Sequence, residues 1–367
     1  MTSAPAVAIS TRADLHEHLR LAIRVELSTV PLYLYALYSI DDQASEAALL
    51  LRSIVSEEML HFALATNLLL AVGGEPALQD PALRPGYPSR LPNHEPPVTL
   101  NLAPATEEQI RSTFLAIEQP DPPGTPAQAG VYDSLGEFYA AIEDAVARLA
   151  ATTDLFAAPQ ADRQLSDERF YGPIAFNTEA SGDLMLIHDV ASARAAIDVI
   201  VHQGEGLTDV QWADPGHQEL THYAKLLRIA DGTSPAGQLR PLRVNPRATD
   251  YPSSVRPLSD LFNAVYAAVF VILDELYRPS PKKGALVGRL YRTMSIVLGP
   301  LARRLTTLPL DDGTVAGPTF EWFDLGTDPS ATLAALARQV ADGHPDLADA
   351  VAPLLEGRLL PEPGSPR

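Results

Sequence analysis

The sequence predicts an all-α protein built around long helices, and three observations predict it. Apolar residues recur at helical spacing over two stretches each close to thirty residues long, at about 11–40 and 43–72. Neither the period-two alternation of a half-buried strand nor an internal repeat stands out anywhere in the chain. The 33 prolines concentrate between the periodic stretches rather than inside them, where a missing N–H and a ring clash would break the helix.

The elements follow in order. A first helix is expected from Thr11 to Ile40, with Pro31 as a point where it can kink, and a second from Gln43 to Val72, stopped by Gly73-Gly74. The proline-rich stretch from Glu75 to Pro104 reads as an extended loop, after which Thr106 caps a short helix through Glu107 and Glu108. Pro120, Pro122, Pro123 and Pro126 keep Gln119 to Gly130 out of a helix. A third long helix runs from Ser134 to about Phe156, a fourth from Val190 to Gly206 and a fifth from Gly216 to Asp231. Beyond a polar, proline-broken connector come helices at Leu258 to Tyr277 and Gly284 to Leu308, then a peripheral helical stretch from Ser330 to Glu356. The expected organisation is a metal-binding bundle over 10–231, a connector over 232–257, a C-terminal helical extension packing on the bundle over 258–325 and a peripheral segment over 326–367.

At 367 residues the chain can bury a substantial core. With no cysteine, thiolate nucleophiles, disulfides, iron–sulfur clusters and thiolate zinc sites are excluded, so any metal must be held by oxygen and nitrogen. A formal charge of −19 opposes nucleic-acid and anionic-membrane partners. The first nine residues lack the basic start and apolar core of a signal peptide, and the most apolar run, Leu261 to Leu276, is interrupted by Asn263, Asp274 and Glu275. A cytoplasmic protein without a membrane span is expected.

The chemistry is concentrated in carboxylates and imidazoles set into apolar seams. Glu58 and His61 stand three residues apart on one helical face, extended by Leu51 and Ile54 before and Ala65, Leu68 and Val72 after. Upstream, Glu26 interrupts the stripe of Leu15, Leu19, Ile23, Val30, Tyr33 and Leu37. An ionised carboxylate in a dry seam is costly without a counter-charge, so both patterns call for a metal or a tight hydrogen-bond network. The plainer alternative for Glu26 is a pairing with Arg24 or Arg52. Glu219-Leu220-Thr221-His222 supplies a second Glu-x-x-His, continued by Leu226 and Ile229. On the third long helix Glu137 and Glu143 both qualify by periodicity, but Ser134-Leu135-Gly136-Glu137 is also a capping box. Asp198, His202 and Glu205 share a face on the fourth, as a ligand with its supporting groups or as an exposed polar stripe. Tyr33, Tyr35, Tyr38 and Tyr139 lie near these elements, either lining a pocket or filling the core.

The linked stretches Ile23 to Tyr38, Ile54 to Asn67, Leu135 to Ile142, Gln203 to Gly206, Thr221 to Leu226 and Ala316 to Glu321 resemble the ferritin-like family of iminophenylpyruvate dimer synthase, enzymes of violacein- and rebeccamycin-type biosynthesis. The resemblance covers most of residues 12 to 325 and implies a ferritin-like four-helix bundle with long loop insertions and additional C-terminal helices. It also implies Glu26, Glu58, His61, Glu137, Glu205 and His222 as metal ligands, ranking Glu137 above Glu143 and Glu205 above Glu219. His202 departs from the pattern, where an acidic residue commonly precedes Gln203-Gly204-Glu205. The family's long members carry a further region that this chain lacks, so the dimerisation itself does not carry over with the resemblance.

The expected function is that of a non-haem, di-iron type oxidoreductase holding one or two Fe ions, or Mn, and using O2 on a small amino-acid-derived or aromatic metabolite, with oxidative imine coupling as one such reaction. His202 and Asp198 are the expected catalytic pair, orienting ligands or moving protons. A homo-oligomer fits this reading. Two rivals stand beside it: a metal-storage protein of ferritin type, and a metal-free helical scaffold whose buried acids form salt bridges.

Overall fold

The computed structural model describes residues 9–120, 132–174, 182–204, 220–280 and 282–360. Helix α1, Arg12–Ser39, opens on a capping box in which the Thr11 hydroxyl accepts from the Asp14 N–H at 3.1 Å and the Asp14 carboxylate accepts from the Thr11 N–H at 2.8 Å. It runs unbroken through Pro31. Helix α2, Glu46–Ala71, begins at the Ser45 cap and stops where Gly73 adopts φ +82°, a conformation that favours glycine. These two helices form the most extensive pairing in the fold and bury most of their residues.

The loop after α2 holds one departure from the all-helical expectation, a two-residue antiparallel pair, β1 Ser89–Arg90 with β2 Thr99–Leu100. Two residues are too few to leave a period in the sequence. Helix α3 spans Glu107–Gln109, a π-helical turn at Ile110–Phe114 and Leu115–Ile117. Helix α4, Leu135–Thr152, and helix α5, Val190–Gly204, pack on each other and on α1 and α2 respectively. Helix α6, His222–Ala230, starts later than periodicity suggests: Thr221 is its N-cap, accepting from the Ala224 N–H at 3.1 Å.

The connector then turns back along the end of α1, where Arg240 N–H donates to the Ser39 carbonyl at 2.7 Å and Tyr35 OH donates to the Arg243 carbonyl. Helix α7, Arg256–Leu276, is followed by α8, built from Lys283–Arg292, a π-helical stretch Thr293–Leu298 and Gly299–Leu305. The stretch Ala316 to Glu321 is tied down by Tyr251, whose hydroxyl donates to the Gly317 carbonyl at 2.7 Å, and by Asn263, whose amide donates to Thr319 Oγ1 at 2.7 Å. The single C-terminal helical stretch expected from sequence is two helices, α9 Pro329–Ala341 and α10 Ala348–Leu355, divided where Gly343-His344-Pro345 cannot continue the first. One continuous apolar core joins all of these helices.

Helices α2 and α7 are long and apolar enough, by length and composition, to cross a membrane, which the interrupted apolar runs had argued against. Their most apolar windows are 83% and 78% buried inside the protein, so that hydropathy is spent on the core.

Candidate metal centre

Five helices converge on a small buried pocket bordered by Glu26, Glu58, His61, Glu118 and Tyr139. The acids and imidazoles here, with His222 beside them, are 0 to 3% exposed. From α1, Glu26 accepts from Tyr139 OH at 2.5 Å through Oε1, while its Oε2 lies 3.6 Å from His61 Nδ1. From α2, Glu58 accepts from Thr29 Oγ1 at 2.5 Å, and its other oxygen lies 3.1 Å from His222 Nδ1. At the end of α3, Glu118 accepts from Tyr33 OH at 2.5 Å and sits 3.5 Å from the same His222 Nδ1. The two imidazoles stack with centroids 5.2 Å apart, and ligand atoms of Glu58, His61 and His222 all lie within 4.8 Å of one another.

The outer nitrogen of each imidazole is already assigned. His61 Nε2 is 2.9 Å from Gln203 Oε1 and His222 Nε2 is 3.0 Å from Glu57 Oε2. The Glu57 carboxylate only accepts, so His222 Nε2 carries a proton and the neutral ring turns its Nδ1 lone pair inward; Gln203 presents its amide oxygen to His61 Nε2, which places that ring in the same sense. His222 Nδ1 has no hydrogen-bond partner, although two carboxylate oxygens lie within 3.5 Å of it. Lone pairs facing carboxylates in a dry pocket require a positive charge between them, either a proton or a metal ion. Hard carboxylate oxygens with imidazole nitrogens are the donor set of iron and manganese. The residues therefore fit a metal.

Electrostatics agree on the sign. Burial, reinforced by Glu26 and Glu118, pushes Glu58 up to about 7 against the pull of His222. Burial pulls His222 down, but Glu118, Glu57 and Glu58 outweigh it and hold the ring well above its usual value. His61 is likewise raised by Glu26 against burial. Burial and the facing carboxylates push Tyr33 and Tyr139 well above an ordinary phenol, so both remain donors. Beneath His222, Glu57 forms a buried pair with Lys225, whose Nζ reaches both oxygens at 2.7 and 2.6 Å.

Glu26, Glu58, His61 and His222 thus come together. Glu137 is placed differently: one carboxylate oxygen accepts from the Asp133 N–H at 2.9 Å while the other is buried without a hydrogen-bond partner, its own N–H donates to the Ser134 Oγ cap at 3.0 Å, and α4 reaches the cluster through Tyr139 instead. Glu143 pairs with Arg194 at 3.0 Å. Asp198 is exposed and His202 half-buried on α5, and the residue that meets His61 there is Gln203, so the expected catalytic pair is not in contact with the cluster. Glu205 and Glu219 lie outside the described residues. Replacing Glu137 by alanine should lower stability by about 1 kcal/mol through the lost bond to the Asp133 N–H and leave metal content unchanged, read by urea unfolding and elemental analysis of one sample.

Sequence reasoning missed Glu118, Glu57 and Lys225. Glu118 carried a signal, since Ile110, Phe114 and Ile117 form a helical stripe that it extends. Lys225 lies three residues after His222 on the stripe of Leu226 and Ile229.

A bundle of long helices gripping a buried carboxylate–imidazole cluster defines the ferritin-like class. The chain belongs to that family: the Ferritin-like family model matches residues 19–231. Over 388 aligned positions it is 26% identical to dichlorochromopyrrolate synthase of Lentzea aerocolonigenes, covering 85% of this chain and 36% of that protein. It is also 26% identical to 2-imino-3-(indol-3-yl)propanoate dimerase of Chromobacterium violaceum, covering 84% of this chain and 34% of the other. The chain thus spans about a third of the length of these curated relatives. A crystal structure of a ferritin-like protein from Caulobacter vibrioides superposes with a TM-score of 0.58 at 22% identity, covering 87% of this chain and all of that one, and supports the fold.

Proposed function

We propose that the protein is a metal-dependent oxidoreductase of secondary metabolism that acts on an aromatic, amino-acid-derived substrate with dioxygen as electron acceptor, and that its reaction is an oxidative coupling of imines or enamines. The observation that carries this reading is the pair of imidazoles fixed from outside by Gln203 and Glu57, each with its free nitrogen facing a carboxylate. Glu26, Glu58, Glu118, His61 and His222 would hold one or two ions of iron or manganese, which when bound supply the redox chemistry toward dioxygen. Tyr139, Thr29 and Tyr33 each donate to one carboxylate and fix its orientation. Lys225 neutralises Glu57, so that Glu57 orients His222 without adding net charge to the pocket. Coupling two imines through carbon removes two electrons and two protons, and dioxygen accepts them. The two curated relatives bear the names of a synthase and a dimerase of such nitrogenous aromatic acids, which supports the substrate class.

The test is metal analysis of protein grown without supplement, followed by oxygen uptake with the imine generated in situ from an aromatic amino acid by an amino-acid oxidase, with catalase present. Iron or manganese at about one to two equivalents per chain, and oxygen uptake above that of the oxidase and catalase alone, are expected. Metal-free protein that stays metal-free after anaerobic loading with ferrous iron would end the proposal.

A further inference from the structure

Other residues of the α1–α2 pair border a second, larger hollow. Leu27 and Val30 of α1 and Val55 and Met59 of α2 border it, whereas their neighbours Glu26 and Glu58 turn to the metal centre. Its volume is about 430 Å3, within the range of cavities that enclose small organic molecules. The far wall is α7 and α8, and it is aromatic: Tyr266 packs edge to face with Phe270 and with Phe320, both at 5.3 Å between centroids.

One part of the rim is positive. Arg52 and Arg303 both border the cavity, and both act electrostatically on the Tyr38 hydroxyl beside them. Arg52 gives one hydrogen bond, to the Gln43 carbonyl at 3.2 Å. Among the described residues neither guanidinium has a carboxylate partner, in a chain where 46 acids face 27 basic residues and where Arg111, Arg148 and Arg163 each hold one. Two uncompensated guanidinium groups at the edge of an aromatic cavity are complementary to an anion with an apolar body, and their planar donors suit a carboxylate.

We propose that this cavity binds an aromatic monocarboxylic acid, its ring against Tyr266 and Phe270 and its carboxylate at Arg52 and Arg303. The cavity shares no bordering residue with the metal centre, and its assignment does not rest on the metal reading.

The experiment is calorimetric titration of the protein as purified with indole-3-acetate and, separately, with the isosteric neutral indole-3-acetamide. The acid should bind about tenfold or more tightly than the amide, the gain of a charge-assisted hydrogen bond. In the double variant Arg52→Gln with Arg303→Gln the preference should shrink to about twofold or less, since the amide never used the charges. Ser295→Trp, at an exposed position on the rim, should block both ligands with little cost to folding. Protein stripped of metal by a chelator should keep the same preference. No measurable binding of the acid, equal binding of acid and amide to the wild type, or full binding by Ser295→Trp overturns the proposal. Loss of binding on stripping also overturns it, because the acid would then sit on the metal.

Discussion

Protein carrying Glu58→Ala together with His61→Ala should retain less than about a tenth of the wild-type metal, because the pair removes one carboxylate and one imidazole from a buried cluster that has few donors to spare. The loss should also appear as stability. An ion that binds the folded state alone stabilises it by about 4 kcal/mol when present at a thousand times its dissociation constant, so the metal-loaded wild type should melt well above the variant. The comparison that matters is the response to added metal: excess ferrous or manganous ion should raise the melting point of the wild type and not that of the variant. Equal metal content and equal melting behaviour would mean that the cluster is a network of salt bridges.

The other large effect is expected at Lys225. Its ammonium group is buried against Glu57, and Lys225→Met leaves that carboxylate in a dry interior with His222 Nε2 as its remaining hydrogen-bond partner among the described residues. Breaking a buried pair from one side costs about 3–5 kcal/mol, whereas replacing both partners by neutral groups is far less damaging. A urea titration should therefore show a large loss for Lys225→Met and recovery of most of it when Glu57→Gln is added. The double variant should still lose metal affinity, because a glutamine can present its amide nitrogen to His222 and no longer fixes which ring nitrogen carries the proton. If Lys225→Met alone is neutral, Glu57 is protonated in the folded protein and the charge assignment around His222 is wrong.

How far the sequence could be read depended on how much helix surrounded each residue. Glu26, Glu58 and His61 stand in the middle of 28- and 26-residue helices, where many apolar neighbours fix the phase of the buried stripe and make an intruding acid conspicuous. Glu118 closes a short helix whose π-helical turn shifts the phase, and a proline-rich stretch follows at once, so too few residues remain to define a face. Glu137 shows the reverse case. Its family position argued for a ligand, while the local Ser134-x-x-Glu137 signature argued for a cap; Ser134 does cap the helix, and the Glu137 carboxylate reaches the Asp133 N–H one residue further back. The polar face of Asp198 and His202 fitted an exposed stripe as well as a site, and Asp198 is exposed. The break between α9 and α10 hinges on Gly343 and Pro345, which a stretch of otherwise helical composition conceals.

The residues at the centre enter the chain far apart: Glu26 lies in the first helix, and His222 opens the nine-residue helix α6 about two hundred positions later. An ion shared by these groups would therefore act as a removable cross-link, closing most of the bundle's sequence into a ring and lowering the entropy of the unfolded chain in the way that grows with the length enclosed. A chain devoid of cysteine has no covalent means to that end. Chelation should accordingly free α6 first, since among the described residues so short a helix is held by its contacts to α2, α3 and α5 and by the atoms around His222.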